Sequence, residues 1–263
     1  MPDETSGVYA GGAEEVVEEL RREFFDEATE SLRDLDVSLN AARHGHKPAN
    51  ELIAEVHRVA IPLYGQANTY GVRLIGTVAR RMEDYLAHVG EPTARAFEDL
   101  QVFVDTLVDL VEGRAPLDAD PAEAVRRLPA KRGLDMEEIE VRDVEVMLVM
   151  LHGTATRFVE REMQQCGYRI TTVTSTFEAL PLIVRTKPDM VIISAVMPNL
   201  SGIDLAIALA TMPATRNIPM ALITSLDADD EYLKLLPDSV PVIHKSPTFG
   251  DDLAEALSRL FMI

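Results

Sequence analysis

The chain has 263 residues and a formal net charge of −19, with 44 acidic residues against 25 lysines and arginines. This length allows two domains of ordinary size. The acidic balance disfavours nucleic-acid and anionic-membrane partners, because both require a positive protein surface. A single cysteine, Cys166, excludes an intramolecular disulfide and a cysteine-ligated zinc site, and it fits a cytoplasmic location.

The N-terminal segment is polar and glycine-rich. Residues 1–12 are predicted to form a flexible tail because of this composition, and the segment lacks the apolar core of a signal peptide. The longest uninterrupted apolar run, Val146 to Leu151, is far shorter than the roughly 20 residues that cross a bilayer. We therefore expect a soluble protein with no membrane insertion.

Residues 13–113 have the periodicity of amphipathic helices. Four apolar stripes with steps of three and four residues begin at Leu20, Ile53, Ile75 and Phe97. The first stripe consists of Leu20, Phe24, Ala28, Leu32, Leu35 and Leu39. Glycine or proline interrupts the pattern between stripes. Four stripes with short connections predict an all-α four-helix bundle.

A change of pattern follows the bundle. Residues 114–142 are rich in proline and charge and are predicted to be a linker with one short helix at 122–128. From 143 to 263, five short apolar runs alternate with helical stretches, which predicts an α/β doubly wound five-stranded parallel sheet. Strands are predicted at 144–151, 170–173, 190–195, 220–224 and 240–244. Helices are predicted at 154–165, 176–186, 203–211, 228–235 and 251–261.

Ordered landmarks in 143–263 are similar to those of a known family. They are the runs VMLVML, KPDMVIISAVMPNLSG, IPMALITS and VIHKSPTF. Together they resemble a response-regulator receiver domain, which has a flavodoxin-like fold.

The receiver resemblance implies a particular site at the strand ends. The family uses an aspartate nucleophile after the third strand, an acidic pair that holds magnesium, a hydroxyl and a lysine. In this register the nucleophile position is Ser194, and the acidic pair falls on Met150 and Leu151. Thr224 and Lys245 take the hydroxyl and lysine positions. The resemblance therefore implies a degenerate site without magnesium, because apolar side chains cannot ligate a hard cation.

The bundle contains a second resemblance. HRVAIPLYGQANTYGV followed by ARRMEDYL is similar to the histidine phosphotransfer domain that opens chemotaxis-type histidine kinases. The matching register, which includes Gly65, places Ile61 at the phosphoacceptor histidine and Tyr64 at the lysine that supports it. Ile61 supplies no nucleophile and Tyr64 supplies no cation at neutral pH. His57, one turn earlier, is more simply interpreted as a structural histidine.

Two prolines inside predicted helices suggest irregular backbone near these sites. Pro62 follows the degenerate acceptor position, and Pro181 lies in the second helix of the receiver-like region. Each removes a backbone donor and is expected to distort or shorten its helix.

The helical register also predicts which face of the second helix is free. Ile53, Val56, Ala60 and Leu63 form the expected buried stripe, so an outward face of His57, Ile61, Tyr64 and Asn68 is predicted. This face is a candidate docking patch. The alternative is that Ile61 packs against the linker or the receiver-like region.

The first functional hypothesis is a non-enzymatic bacterial two-component adaptor that binds histidine kinases, receivers, phosphotransfer proteins or a second copy of itself. We expect no catalytic residues, cofactor or metal. Two alternatives remain open. One is a phosphorelay protein with an unconventional acceptor, His57 or Ser194. The other is a sensor that binds a small anion in the degenerate cleft near Lys245.

Overall fold

The computed structural model describes residues 6–87, 92–131, 142–246 and 248–261. Contacts divide the chain into two compact units, Met1–Pro129 and Ala130–Ile263. The first unit is helical and the second is a parallel α/β sheet. The predicted fold class is therefore confirmed.

Four main helices form the first unit. They are α1 (Ser6–Arg43), α2 (Ala49–Ala67), α3 (Arg73–Leu86) and α4 (Ala94–Val111). Their apolar stripes meet in one core that includes Leu32, Leu52, Ile75 and Leu107. Thr93 caps α4, because its hydroxyl accepts a hydrogen bond from the Ala96 N–H at 3.2 Å.

Helix α1 is longer than the sequence pattern predicted. It begins at Ser6, so residues 6–12 are helical rather than part of a loose tail. No proline lies between Ser6 and Arg43, and extending a helix costs less than nucleating one. Leu20, predicted to lie in the core stripe, is exposed, and from residue 15 onward, where burial is described, the first buried residue is Phe24.

The first part of the predicted linker belongs to the bundle. Helix α5 (Pro121–Arg127) confirms the short helix expected there, and Asp120 caps it by accepting from the Ala122 N–H at 3.0 Å. Leu128 is buried in the bundle core, with Leu117 and Ala124 packed against that core. Apolar side chains between the prolines therefore hold this segment on the bundle. Residues 132–141 of the predicted linker lie outside the described residues.

The second unit alternates strands and helices. Its strands are β1 (Glu145–Val149), β2 (Arg169–Val173), β3 (Met190–Ser194), β4 (Met220–Thr224) and β5 (Val242–His244). Its helices are α6 (Thr154–Gln165), α7 (Thr176–Thr186), α8 (Gly202–Thr211) and α9 (Phe249–Phe261). The strands are parallel in the order β2-β1-β3-β4-β5.

Both faces of the sheet are buried. Alternate residues of β3 enter different cores: Val191 and Ile193 pack in one, and Met190 and Ile192 pack in the other. This arrangement explains why the strands appear in the sequence as continuous apolar runs. The carboxyl ends of all five strands consequently meet at one edge of the sheet.

One predicted helix is absent from the described residues. The segment 228–235 contains only a 3₁₀ turn at Leu233–Leu235. The Asp230 carboxylate accepts a hydrogen bond from the Tyr232 N–H at 2.8 Å, a local pairing that competes with helix formation. Pro237 follows two residues after the turn and disfavours continuation of a helix past it.

Shortening was expected at Pro62 and Pro181, but both helices continue past their prolines. Helix α2 continues through Pro62 to Ala67, and α7 continues through Pro181 to Thr186. Both prolines are exposed, as are Arg58 and Phe177 four residues earlier. The carbonyls that lose their helical partners therefore lie on solvent-facing sides, where water can satisfy them.

No helix in the described part of the chain is long and apolar enough to cross a bilayer.

Candidate functional site

The sheet brings the five predicted receiver-site residues to one edge. Met150 and Leu151 follow β1, Ser194 ends β3, Thr224 ends β4, and Lys245 follows β5. Strand pairing aligns these ends, with Ser194 opposite Ile223 and Thr224 opposite His244. The placement follows the predicted register, although their role as a degenerate site stays a prediction.

The nucleophile and metal positions offer little chemistry. Ser194 is buried, and its hydroxyl donates to the Val196 carbonyl at 3.3 Å. Met150 is buried, and its N–H donates to the Val173 carbonyl at 3.1 Å. Leu151 is exposed. A serine, a thioether and an isobutyl group do not fit magnesium, which prefers carboxylate and other hard oxygen ligands.

The hydroxyl and lysine positions are held by backbone bonds. The buried Thr224 hydroxyl accepts from the Leu226 N–H at 2.9 Å. The Lys245 N–H donates to the Thr224 carbonyl at 2.8 Å, while the Lys245 side chain is exposed. These bonds fix the ends of β4 and β5.

A close contact closes the loop after β3. The Gly202 N–H donates to the Ala195 carbonyl at 2.9 Å, so α8 starts directly against the strand end. A Cβ atom at Gly202 would lie 1.9 Å from the Ser194 carbonyl oxygen. The Thr176 hydroxyl donates to the Leu200 carbonyl at 2.9 Å and ties this loop to the start of α7.

Three large apolar side chains are exposed near the same edge. Leu151 is 48% exposed, Val196 is 59% exposed and Phe177 is 62% exposed. They follow β1, β3 and β2, which are neighbours in the sheet. Sequence analysis missed Val196 and Phe177, although their places just after strand ends were a usable signal. We call these three residues the apolar sheet edge.

The bundle carries the second candidate site on the side of α2 opposite its buried residues. Ile61 is 49% exposed, Gly65 and Asn68 are exposed, and His57 and Tyr64 are half-buried. These five residues are called the outer α2 face. The opposite side is buried as predicted at Val56, Ala60 and Leu63, with Leu52 and Val59 as well, while Ile53 is only half-buried.

Helix α3 supplies charges beside this face. His57 Nδ1 lies 3.7 Å from Glu83 Oε1, and Arg80 Nη1 lies 3.0 Å from Glu83 Oε2. The Arg80 guanidinium carbon lies 5.2 Å from the centre of the Tyr64 ring, in cation–π geometry. Sequence analysis missed Glu83 and Arg80, because contacts between helices leave no periodic signal.

Among the described residues, no group of three or more His, Cys, Asp or Glu side chains could hold a metal ion.

Comparisons with known proteins address the sheet unit. No family model matches the chain. A stretch of 78 residues is 32% identical to response regulator PleD of Caulobacter vibrioides. The matched stretch covers 30% of this chain but only 17% of that protein. The chain thus spans about a sixth of the curated relatives' length. These findings, with the sheet order, support a receiver (CheY-like) domain in the second unit.

Solved receiver structures are also similar. A response regulator from Desulfuromonas acetoxidans is 28% identical with a TM-score of 0.39, covering 45% of this chain and 97% of that one. The receiver domain of a sensor histidine kinase from Pseudomonas aeruginosa is 16% identical with a TM-score of 0.40, covering 45% of this chain and 98% of that one. The resemblance of the bundle to a phosphotransfer domain stays a prediction.

The close contact at Gly202 predicts that alanine there lowers stability more than alanine at Gly153 does. Gly202→Ala should lower the free energy of unfolding of the receiver domain by about 2 kcal/mol or more, because the new methyl group meets backbone. Gly153→Ala is the matched control, since a Cβ there has no neighbour within 4 Å. It should cost no more than about 1 kcal/mol, the loss expected when alanine stands at the N-cap of α6. Urea unfolding followed by hydrogen exchange of β3 and α8 peptides measures both. Equal stability of the variants would contradict the close approach.

Proposed function

We propose that the chain is a non-enzymatic cytoplasmic adaptor of two-component signalling, which binds partner proteins through surfaces that carry no phosphoryl group. The single observation that supports this most strongly is the composition of the receiver edge, where Ser194, Met150 and Leu151 stand at the positions of three carboxylates. Without a carboxylate, no acyl phosphate can form and no hard cation is held. The retained fold then serves recognition.

The adaptor proposal predicts that the receiver domain takes no phosphate. Incubation of the full chain with acetyl phosphate and magnesium should give no phosphate adduct by intact-mass measurement. Addition of beryllofluoride and magnesium should leave the NMR signals around Thr224 unchanged. A receiver with a normal aspartate serves as the positive control. A mass gain, or magnesium-dependent shifts at Thr224, would contradict the proposal.

A second candidate function is phosphotransfer through His57. The observation that favours it is the Glu83 carboxylate 3.7 Å from His57 Nδ1, because a carboxylate in that place can hold the Nδ1 proton and leave Nε2 to attack a phosphoryl group. Labelling by an active kinase decides between the two functions. If an active kinase labels the chain, and His57→Gln removes the label while His44→Gln keeps it, phosphotransfer is the function.

The outer α2 face is the surface that we assign to partner binding in the bundle. Exposed isoleucine and half-buried tyrosine lie together there, and such side chains often act as anchors of protein interfaces. Arg80 and Glu83 border them and provide the polar rim that interfaces normally have. Partners of this surface are expected among receivers and kinases of two-component systems.

Ile61→Asp should weaken binding of such a partner by about 2 kcal/mol or more, because it puts a charge in the centre of the apolar contact. The melting temperature should hardly change, since Ile61 is half exposed in the free protein. A partner would first be identified by cross-linking to the full chain. Its affinity for the wild type and for Ile61→Asp would then be measured by calorimetry.

Val102→Asp is the matched control, because Val102 is an exposed valine on a different helix, α4. It should leave affinity unchanged. Equal loss of affinity in both variants would indicate a nonspecific charge effect. A large fall in the melting temperature of Ile61→Asp would mean that Ile61 is buried within the chain.

A further inference from the structure

An exposed apolar pair lies in the turn between β4 and β5. Tyr232 is 68% exposed and Leu235 is 62% exposed. Tyr232 is the N-cap of the 3₁₀ turn and Leu235 is its last residue. Side chains three residues apart are eclipsed in a 3₁₀ turn, so these two point the same way. On the inward side, Leu233 and Leu236 pack against the core of the sheet. The receiver core therefore does not use the exposed pair.

The residues around this pair are acidic. Residues 226–238 contain five aspartates and glutamates against one lysine, and Asp227, Asp229 and Glu231 are exposed. We call this segment the acidic turn. A surface that covers it has to be apolar at its centre and positive at its border, because acidic groups placed opposite these carboxylates would repel them.

The outer α2 face combines apolar side chains with a positive border. Residues 57–81 contain four arginines and no aspartate or glutamate, although the whole chain has a net charge of −19. Arg58 is exposed on α2, and Arg73 is exposed at the start of α3. Arg73 lies seven residues before Arg80, which contacts Tyr64, and is therefore on nearly the same side of α3. Cations thus border this face from both helices.

The glutamates beside this face do not cancel its positive border. The Glu55 side chain is 11% exposed and pairs with Arg58, whose side chain is 74% exposed. At this place an approaching surface meets the cation rather than the carboxylate. The Glu83 carboxylate is half-buried and already shared between Arg80 and His57.

We propose that the acidic turn of one copy of the chain docks on the outer α2 face of a second copy. The spacing of the apolar side chains agrees with this contact. Ile61 and Tyr64 are three residues apart on an α-helix, which places their Cβ atoms about 5 to 6 Å apart. Tyr232 and Leu235 are three residues apart on a turn that rises about 2 Å per residue, which gives about 6 Å. The two apolar pairs therefore match in spacing, and arginines of one copy surround acids of the other.

This contact would regulate access to the outer α2 face. The inference rests on the proposed function, since it takes that face as a protein-binding surface. A face covered by a second copy is closed to other partners, so self-association and partner binding compete. A contact with two anchors on each side is smaller than a standard interface of about 1,600 Å², and its dissociation constant should be on the order of 100 µM.

Opposite charges set the salt dependence of this contact. At about 0.1 M salt and above, the screening length is about 10 Å or less, so charges within the contact outweigh the net charges of the two whole copies. Salt then screens the attraction between the acidic turn and the arginines. Self-association should therefore weaken several-fold as NaCl rises from about 0.1 to 0.5 M.

Sedimentation equilibrium of the full chain between about 5 and 500 µM tests the proposal. The average mass of the wild type should rise with concentration. Tyr232→Ser with Leu235→Ser should weaken self-association by about tenfold or more, with little change in melting temperature, because both side chains are exposed. Val37→Ser with Val102→Ser is the matched control, since both are exposed valines of the bundle outside the two surfaces, and it should leave self-association unchanged.

Mixing two variants tests whether the contact joins different copies. Ile61→Asp disables the outer α2 face and keeps the acidic turn, whereas the Tyr232 and Leu235 double variant keeps the face and loses the turn. Each variant alone should stay monomeric. An equimolar mixture should form a heterodimer and nothing larger, because each chain then has one working surface.

Four results would overturn the proposal: a wild type that stays monomeric throughout, self-association that survives the double substitution, self-association that tightens between about 0.1 and 0.5 M NaCl, or a mixture of the two variants that stays monomeric. Partner binding separates these failures from a failure of the proposed function. The Tyr232 and Leu235 double variant should bind a two-component partner at least as tightly as the wild type. A monomeric wild type that binds such a partner through Ile61 would refute the self-contact and leave the adaptor function intact.

Discussion

The carboxyl edge of the sheet takes its shape from the approach of Gly202 to β3. Only a residue without a Cβ can bring its amide to the Ala195 carbonyl at 2.9 Å while its α-carbon passes the Ser194 carbonyl. That approach starts α8 at the strand end and compresses residues 195–201 into a short loop. The loop is then fixed to α7 by the Thr176 hydroxyl. All of these bonds involve backbone or hydroxyl groups, so none of them requires an ion or a phosphoryl group as a partner.

This separation of shape from chemistry means that the receiver-like sheet does not depend on the side chains at its carboxyl edge. The core residues of β1 and β3, such as Leu148 and Ile192, are fully buried, and changing them costs several kcal/mol. A side chain at the exposed edge contributes much less to stability. Leu151 is half exposed at this edge, so the identity of its side chain has little effect on folding. Under the proposed register, where the family has a carboxylate, this substitution would remove a charge that magnesium and a phosphoryl donor require.

Sequence periodicity predicted most of the fold because burial on one or two sides of an element leaves a regular pattern. The four helical stripes and five strand runs were all identified from such patterns. The method failed at 228–235, where the Asp230 side chain bonds the backbone locally and apolar spacing alone suggested a helix. It also failed at Leu20, whose spacing matched the core stripe although the rest of the bundle stops short of it. A periodic pattern indicates an apolar side, but it does not say what covers that side.

Within the candidate sites, some residues could be placed from the sequence and others could not. Strand-end residues such as Ser194 and Thr224 could be placed from sequence, because parallel strands end at one edge of a sheet. The neighbours of His57 could not, because Glu83 lies 26 positions later in the chain and reaches it only through the packing of α3 on α2. Val196 sits in a loop and Phe177 in a first helical turn, where no repeat of apolar residues in the sequence marks which side chains are exposed.

Apolar surfaces in place of charged ones also change the kinetics expected of an adaptor. A phosphorelay pair must meet quickly and separate after transfer, and complementary charge speeds such encounters. For the proposed adaptor, encounter at the outer α2 face and the apolar sheet edge would be slower, because these surfaces lack the charges implied for the family's sites, and residence time would be governed by dissociation. Because no reaction would reset such a complex, its occupancy would follow the concentrations of the partners.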